Sequence, residues 1–443
     1  MIEQTRKVLK ECKELDQKYN IFSEITEDLA LEQARALEDK PKGKLKGLFI
    51  TVKDCICIKD IETHSSSRIL RGYKPLFNAT VIERLVAEGA IIIGKTLQDE
   101  FGFGTFGINT GHDFPVPRNP VDTSRVPGGS SGGSGIISKL ASFPHVSLGE
   151  STGGSIVNPA ALCGTYGLCP TYGRVSRYGL LDYGNSLDKI GPISNDPDAL
   201  ALVLEVISGF DEKESTTLKA PVPKIPGKFK GRIGVIKEAF GEGISSEVNN
   251  SIQSYIDDLK AKGLTVEEVS LKTPYEKGIA TYYILSQSES STNLAKYCGM
   301  RYGMHEDISG NFNEYFSGVR SNHLGKEVKR RILIGTFARM VGFRDAYYMK
   351  AMKVRTKIIN EYKKAFERYD VLLSPTVPYV APRFEDIEKM SLLETYMADL
   401  LTVGPNLAGL PHINIPLETN GMPVGAMFIA PHMKEERLLQ LTK

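Results

Sequence analysis

Hydrophobic and polar positions alternate with helical period through residues 1–18, which predicts a helix there. A second amphipathic helix is expected over 26–39, with Thr26 as N-cap and Glu27 and Asp28 in its first turn. Residues 47–52 then form a short apolar run, read as a buried strand ending at Lys53-Asp54. That places a lysine at the C-terminal end of a strand, where α/β proteins collect their chemistry. Residues 80–87 have the spacing of a helix stopped by Gly89, and 90–93 that of a strand. Helix 196–207 ends at Gly209, and the Pro/Lys-rich stretch 218–231 is the best linker candidate. Beyond it the pattern predicts strand 232–236, helix 246–262, strand 264–270, long helical stretches at 275–298 and 325–368, and strands at 370–374, 412–416 and 424–430. The implied fold class is α/β: a mixed, largely parallel sheet covered by helices on both faces. It is expected as one domain over 1–443, with N-terminal helices in 1–40 and a helical cap within about 240–368.

Composition narrows the functional classes. With 41% hydrophobic and 24% charged residues the chain has an ordinary globular balance, and a net charge of +2 over 443 residues is too small for a surface-wide nucleic-acid clamp. Neither a signal-type apolar core nor a membrane-length run is present, so the expected location is the cytoplasm, away from any membrane. The cysteines Cys12, Cys55, Cys57, Cys163, Cys169 and Cys298 are scattered rather than framed for disulfides. Cys55 and Cys57 suggest one strand face, and no second Cys/His cluster completes a metal site. Residues 89–96 match GxxxxGK[ST], but the intervening Ala-Ile-Ile-Ile is an apolar strand where a phosphate cradle needs an irregular loop.

One stretch has unusually small side chains. Glycine-serine clusters at 128–134 and 153–155 flank a helix-like run and the apolar segment 146–148. Glycine allows close approach to the backbone and serine adds hydroxyls that donate, accept or attack, which suits an anion cradle or an acyl-transfer site. A serine nucleophile needs a base and an oxyanion pocket. Of the seven histidines only His145 lies in the stretch, at an expected strand start, and a lone strand histidine is more often structural. Lys53 is the alternative base; the residues alone leave open whether it is one or a solvated strand end.

PGGSSGGS at 127–134, STGGSIVNPAALCG at 151–164 and TVKD at 51–54 resemble, in order, the three active-site segments of the amidase signature family. The resemblance implies the amidase signature fold and a Ser-cis-Ser-Lys triad, with Ser155 as nucleophile, Ser131 as the cis-serine and Lys53 as base. The backbone N–H groups of Thr152, Gly153 and Gly154 would then face the oxyanion. Within the family, the runs at 170–180, 186–194, 325–338, 345–356 and 399–411 are similar to the glutamine-hydrolysing subunits of tRNA-dependent amidotransferases. This implies glutamine as substrate, with Arg331 for its carboxylate, Asp399 for its ammonium and Tyr282 as a further contact. It also implies B and C partner subunits, misacylated Glu-tRNA(Gln) or Asp-tRNA(Asn) as the final acceptor, no cofactor or metal in this chain, and ATP and Mg on a partner. The alternatives are a free-standing amidase and a catalytically impaired scaffold subunit.

The chain departs from that family in two places. Where the usual pattern is DTGGSIR, it has Ser151 for the aspartate and Val157 for the arginine, with Glu150 one place upstream. The run FGFGTFGINTG at 101–111 replaces a small-residue, serine-rich stretch, which bears on the shape of the glutamine pocket.

Overall fold

Every residue of the strands at 49–53, 91–96, 145–151 and 189–194 is buried, as expected of strands covered on both faces. The structure, a computed structural model, describes residues 1–39, 43–223, 227–308, 310–417 and 421–443. In chain order its strands are β1 (Phe22–Ile25), β2 (Phe49–Lys53), β3 (Ile91–Thr96), β4 (His145–Ser151), β5 (Tyr166–Cys169), β6 (Lys189–Ser194), β7 (Arg232–Ile236), β8 (Thr265–Val269), β9 (Val371–Pro375), β10 (His412–Leu417) and β11 (Val424–Ile429). They form an 11-stranded sheet in the order β1-β3-β2-β4-β6-β5-β10-β11-β9-β7-β8.

The sheet is mixed but not largely parallel. Pairings β2/β3, β2/β4, β7/β8 and β7/β9 are parallel, and the other six are antiparallel. The sequence separation of β10 and β11 is too short for a crossover, so they pair as a hairpin and turn the centre of the sheet antiparallel.

Alternation along the strands sends successive side chains to opposite faces. Leu372, Met427 and Ile429 join the helices Lys272–Asn293, Lys350–Ala365 and Leu400–Leu407. Val371, Leu373, Ala426 and Phe428 join the helices Thr80–Ala87, Pro197–Ile207 and Ser246–Ala261 on the other side. At the β1 end, Phe49, Ile91 and Ile93 pack with the helices Ile2–Tyr19, Glu27–Asp39 and Gly132–Leu140.

Several expectations are adjusted. The strand predicted to stop at Ile93 continues through Thr96, and Lys95 is buried with its ammonium 3.2 Å from Asp54 and 2.6 Å from the Thr63 hydroxyl. Cys55 and Cys57 are buried beyond the end of β2 rather than on a strand face. The helical stretch 325–368 is interrupted after Lys326–Arg339 and resumes at Asp345. Part of the linker candidate, 224–226, and residue 40 of the N-terminal segment lie outside the described residues.

Candidate active site

Parallel pairing of β2 with β4 brings Lys53, the last residue of one, beside Glu150, near the end of the other. Lys53 is fully buried, and its ammonium donates to Ser130 Oγ at 2.7 Å, to the Glu150 carbonyl at 2.9 Å and to Glu150 Oε2 at 2.8 Å. Ser130 arrives through a cis Gly129–Ser130 peptide. Glycine is needed at 129 because a Cβ there would lie 2.1 Å from Asp99 Oδ2.

The contact corrects the expectation for Ser131. Its side chain makes no hydrogen bond to Lys53: the hydroxyl donates to the Glu150 carbonyl at 3.3 Å, and its backbone N–H donates to the Ser155 carbonyl at 3.3 Å. Ser131 stands at the N-cap position of the helix Gly132–Leu140, with no side-chain capping hydrogen bond, while the residue before it enters the site. Two adjacent serines offer no sequence means of telling which one turns inward.

Ser155 follows β4 in the turn that opens the helix Val157–Cys163. Its side chain is nearly buried, at 7% exposure, and among the described residues its hydroxyl has no hydrogen-bond partner. The backbone N–H groups of Thr152, Gly153 and Gly154 likewise donate to nothing described. The turn is held from outside instead. Thr152 shares a 2.7 Å hydroxyl hydrogen bond with Tyr282, Asn406 donates to the Thr152 carbonyl, and Ser151 Oγ donates to the Gly153 carbonyl at 2.9 Å. A Cβ on Gly154 would meet Asn158 Oδ1 at 2.4 Å and Thr402 Oγ1 at 2.5 Å, so only glycine fits. Three free N–H groups beside a free hydroxyl can polarise a carbonyl while the hydroxyl attacks it. Val157 sits in the apolar cluster with Ile156, Ala160 and Ile429.

Arg331 and Asp399 are both buried, at 4% and 7% exposure, and Tyr283 joins them. Its ring lies 5.3 Å from the Arg331 guanidinium and its hydroxyl donates to Asp399 Oδ2 at 2.7 Å. Thr105 and Asn158 also donate to Asp399, at 3.0 and 3.2 Å. Arg331 donates to Glu327 at 2.8 Å and to the Tyr183 hydroxyl at 3.0 Å, between the rings of Phe103 and Tyr396. Two of its five N–H groups are thus spoken for, and Asp399 keeps an acceptor site, so each can still bind a ligand. A cavity of about 400 Å³ opens against Arg331, Asp99, Phe103 and Thr105; Ser155 is not among its walls. Tyr282, the expected contact, shares its hydroxyl with Thr152 in the Ser155 turn.

Burial dominates the electrostatics. It raises the Asp399 carboxyl above the usual range against the hydrogen bond from Tyr283, and it pushes Asp99 up to about 6 and Glu100 up to about 7. Ser130, Glu150, Tyr283, Thr105 and Asn158 belong to the site beside the residues foreseen from sequence. Ser130 and Asn158 lie inside the quoted motifs and Tyr283 next to Tyr282; Thr105 carries no local signal. Among the described residues no group of three or more His, Cys, Asp or Glu is placed to hold a metal, and no helix is long and apolar enough to cross a membrane.

A free serine in a glycine turn after one strand, and a buried lysine bonded to a second serine at the end of the neighbouring strand, are the equipment of an amide hydrolase. The chain belongs to the amidase family, whose model matches residues 3–439. It is 42% identical to the A subunit of glutamyl-tRNA(Gln) amidotransferase of Trichormus variabilis, over 99% of this chain and 93% of that one. It is 45% identical to the protein of the same name from Geobacillus thermodenitrificans, over 97% and 90%. Among solved structures, the A subunit of glutamyl-tRNA(Gln) amidotransferase from Thermotoga maritima superposes with a TM-score of 0.81 at 33% identity, covering 100% of this chain and 91% of that one. A chain from a vestigial complex bearing on the origins of an s-triazine catabolic enzyme gives 0.84 at 28%, covering 99% and 93%.

Proposed function

We propose that this chain is the glutaminase subunit of a tRNA-dependent amidotransferase, which releases ammonia from glutamine and passes it to a partner that amidates misacylated Glu-tRNA(Gln), Asp-tRNA(Asn) or both. The observation that carries the chemistry is the Lys53–Ser130 hydrogen bond at 2.7 Å, in a loop that joins the Ser155 turn through the Ser131 N–H, which donates to the Ser155 carbonyl at 3.3 Å. Ser155 attacks the side-chain amide carbon while its proton moves through Ser130 toward Lys53. The oxyanion is held by the N–H groups of Thr152, Gly153 and Gly154. Ser130 returns a proton to the departing nitrogen, and water repeats the cycle on the γ-glutamyl ester. Arg331 takes the substrate carboxylate, for which its fork is suited, and Asp399 the ammonium.

The relatives named as the A subunit of an amidotransferase support membership of a multi-subunit complex; its B and C subunits, a cytoplasmic location, and ATP and Mg on a partner are part of the same proposal. A second reading is a free-standing hydrolase of another small amide; the likeness to the s-triazine-related chain supports a different substrate but, coming from a protein complex, not the free-standing state. Glutamine and a neutral amide, offered to the chain with and without its partners, separate the two. Expected is glutamate release, a glutamyl adduct on Ser155 by mass spectrometry, loss of both in Ser155→Ala, and selective loss of glutamine turnover in Arg331→Lys, which keeps charge without the fork. An active Ser155→Ala variant would overturn the mechanism; equal loss of both substrates in Arg331→Lys would favour the free-standing hydrolase.

A further inference from the structure

The segment 99–106, which includes part of the run that departs from the usual family pattern, is wound between the two halves of the site. Toward Ser130 it makes three backbone hydrogen bonds: the Gly129 N–H donates to the Thr105 carbonyl at 2.7 Å, the Gly128 N–H to the Phe106 carbonyl at 3.1 Å, and the Asp99 N–H to the Ser130 carbonyl at 3.1 Å. Toward the other half, the Thr105 hydroxyl donates to Asp399 Oδ2 at 3.0 Å, and Thr105 lines the cavity that opens against Arg331. We propose, resting on the glutaminase reading above, that Thr105 is a positioning residue for glutamine. Its hydroxyl decides which Asp399 oxygen meets the α-ammonium and its carbonyl holds the Gly129 N–H next to Ser130, so a substrate with that ammonium is registered against the relay.

The hydrogen bonds to Asp399 are unequal. Oδ2 accepts from Thr105 and from the Tyr283 hydroxyl at 2.7 Å, which fills the two lone pairs of that oxygen. Among the described residues Oδ1 accepts from Asn158 alone, at 3.2 Å, so the vacant acceptor position lies on Oδ1. That oxygen faces Asn158, whose amide packs on Gly154 in the Ser155 turn, where a Cβ would come within 2.4 Å of it. An ammonium held on Oδ1 is therefore placed on the side of the nucleophile. Without the Thr105 hydrogen Oδ2 regains a lone pair, and the ammonium settles on either oxygen. Loss of that bond also works against the ionised carboxyl, which burial already disfavours, and a neutral carboxyl makes no ion pair with an ammonium.

Thr105 is itself fixed by its neighbours. Phe103 lies 5.2 Å from the Arg331 guanidinium and 4.6 Å from the Tyr183 ring, and Phe106 stacks on Tyr379 at 6.2 Å. A Cβ on Gly104 would come within 2.2 Å of Asp99 Cγ. Thr105 thus spans its two partners from a fixed place.

Thr105→Val keeps the shape and the backbone carbonyl but not the donor, and Thr105→Ser keeps the donor. Both are tested in the chain assembled with its partners, with melting temperature as the folding control. The substrates are glutamine and glutaramate, the analogue that has the amide and the carboxylate but no α-amino group, and the quantity read is the ratio of their kcat/KM values. Thr105→Val should lower the preference for glutamine by about tenfold or more, through a raised KM and a lowered kcat for glutamine, whereas Thr105→Ser should hold it within about threefold of the wild type. A wild-type ratio in Thr105→Val, an equal loss of both substrates, or a serine variant as poor as the valine one would make Thr105 purely structural and overturn the proposal. Should the valine variant fail to fold, Thr105→Ala is read in the same way with the same expected loss. The glutaminase reading fails differently: the wild-type complex would release no ammonia from glutamine, or Asp399→Asn would keep the wild-type ratio.

Discussion

Ser130 and Ser131 carry the same side chain one peptide apart, yet only Ser130 touches the Lys53 ammonium, at 2.7 Å. Ser131 donates to a carbonyl at 3.3 Å from the N-cap position of a helix. Ser130→Ala should therefore lower kcat by about a hundredfold or more, whereas Ser131→Ala should cost less than about tenfold. Steady-state glutamine turnover by the two variants checks this, and the reverse order would return the relay to Ser131. Lys53, Ser155 and the glycines of the turn were legible in the sequence because their motif fixes both residue type and spacing. The choice between two adjacent serines was not, since it depends on the backbone path through Gly129, which Asp99 crowds from another loop. The same holds for Glu150, whose contact with Lys53 is set by the strand neighbouring its own.

At the scale of elements, the helix Lys326–Arg339 carries Arg331 and is anchored at its start by Glu100, whose carboxylate accepts from the Gly325 N–H and from the Ser67 hydroxyl. Burial pushes Glu100 up to about 7 even so. A carboxyl raised in the fold binds more protons than its unfolded counterpart, so its contribution to stability is present below the ordinary glutamate range and is lost as pH rises to about 7. Glu100→Gln lacks this term. The melting temperature of the wild type relative to that variant should fall by about 2–4 °C between about pH 4.5 and 7.5, as measured by calorimetry across that range. A constant difference would mean that Glu100 is already charged in the fold. The helix itself was visible from its periodicity, but its interruption after Arg339 was not. Strands β5 and β6 also escaped notice: Tyr166–Cys169 is short and contains glycine, and Lys189–Ser194 carries Pro192 in the middle of a sheet, where proline argues against a strand.

Across the whole molecule the charge is close to balanced, +2 over 443 residues. If tRNA is handled by a partner, the isolated chain should show only weak tRNA binding and no ATP hydrolysis, and the assembled complex should show both. Filter binding across a salt series is the check, and tight, salt-sensitive binding by the chain alone would contradict the division of labour. The sheet edges are modest: β1 has four residues, and β8 presents Glu267 and Glu268, which discourages edge-to-edge pairing. The α/β class, the strand ending at Lys53 and the glycine-serine turn around Ser155 follow from periodicity and local residue type, which are properties of the chain alone. The antiparallel centre of the sheet, the meeting of Ser130 with Lys53, the sharing of that lysine by Glu150 and the link from Arg331 through Tyr283 to Asp399 came from the folded chain. Each of those rests on residues distant in sequence being brought within a few ångströms, and no local pattern records that distance.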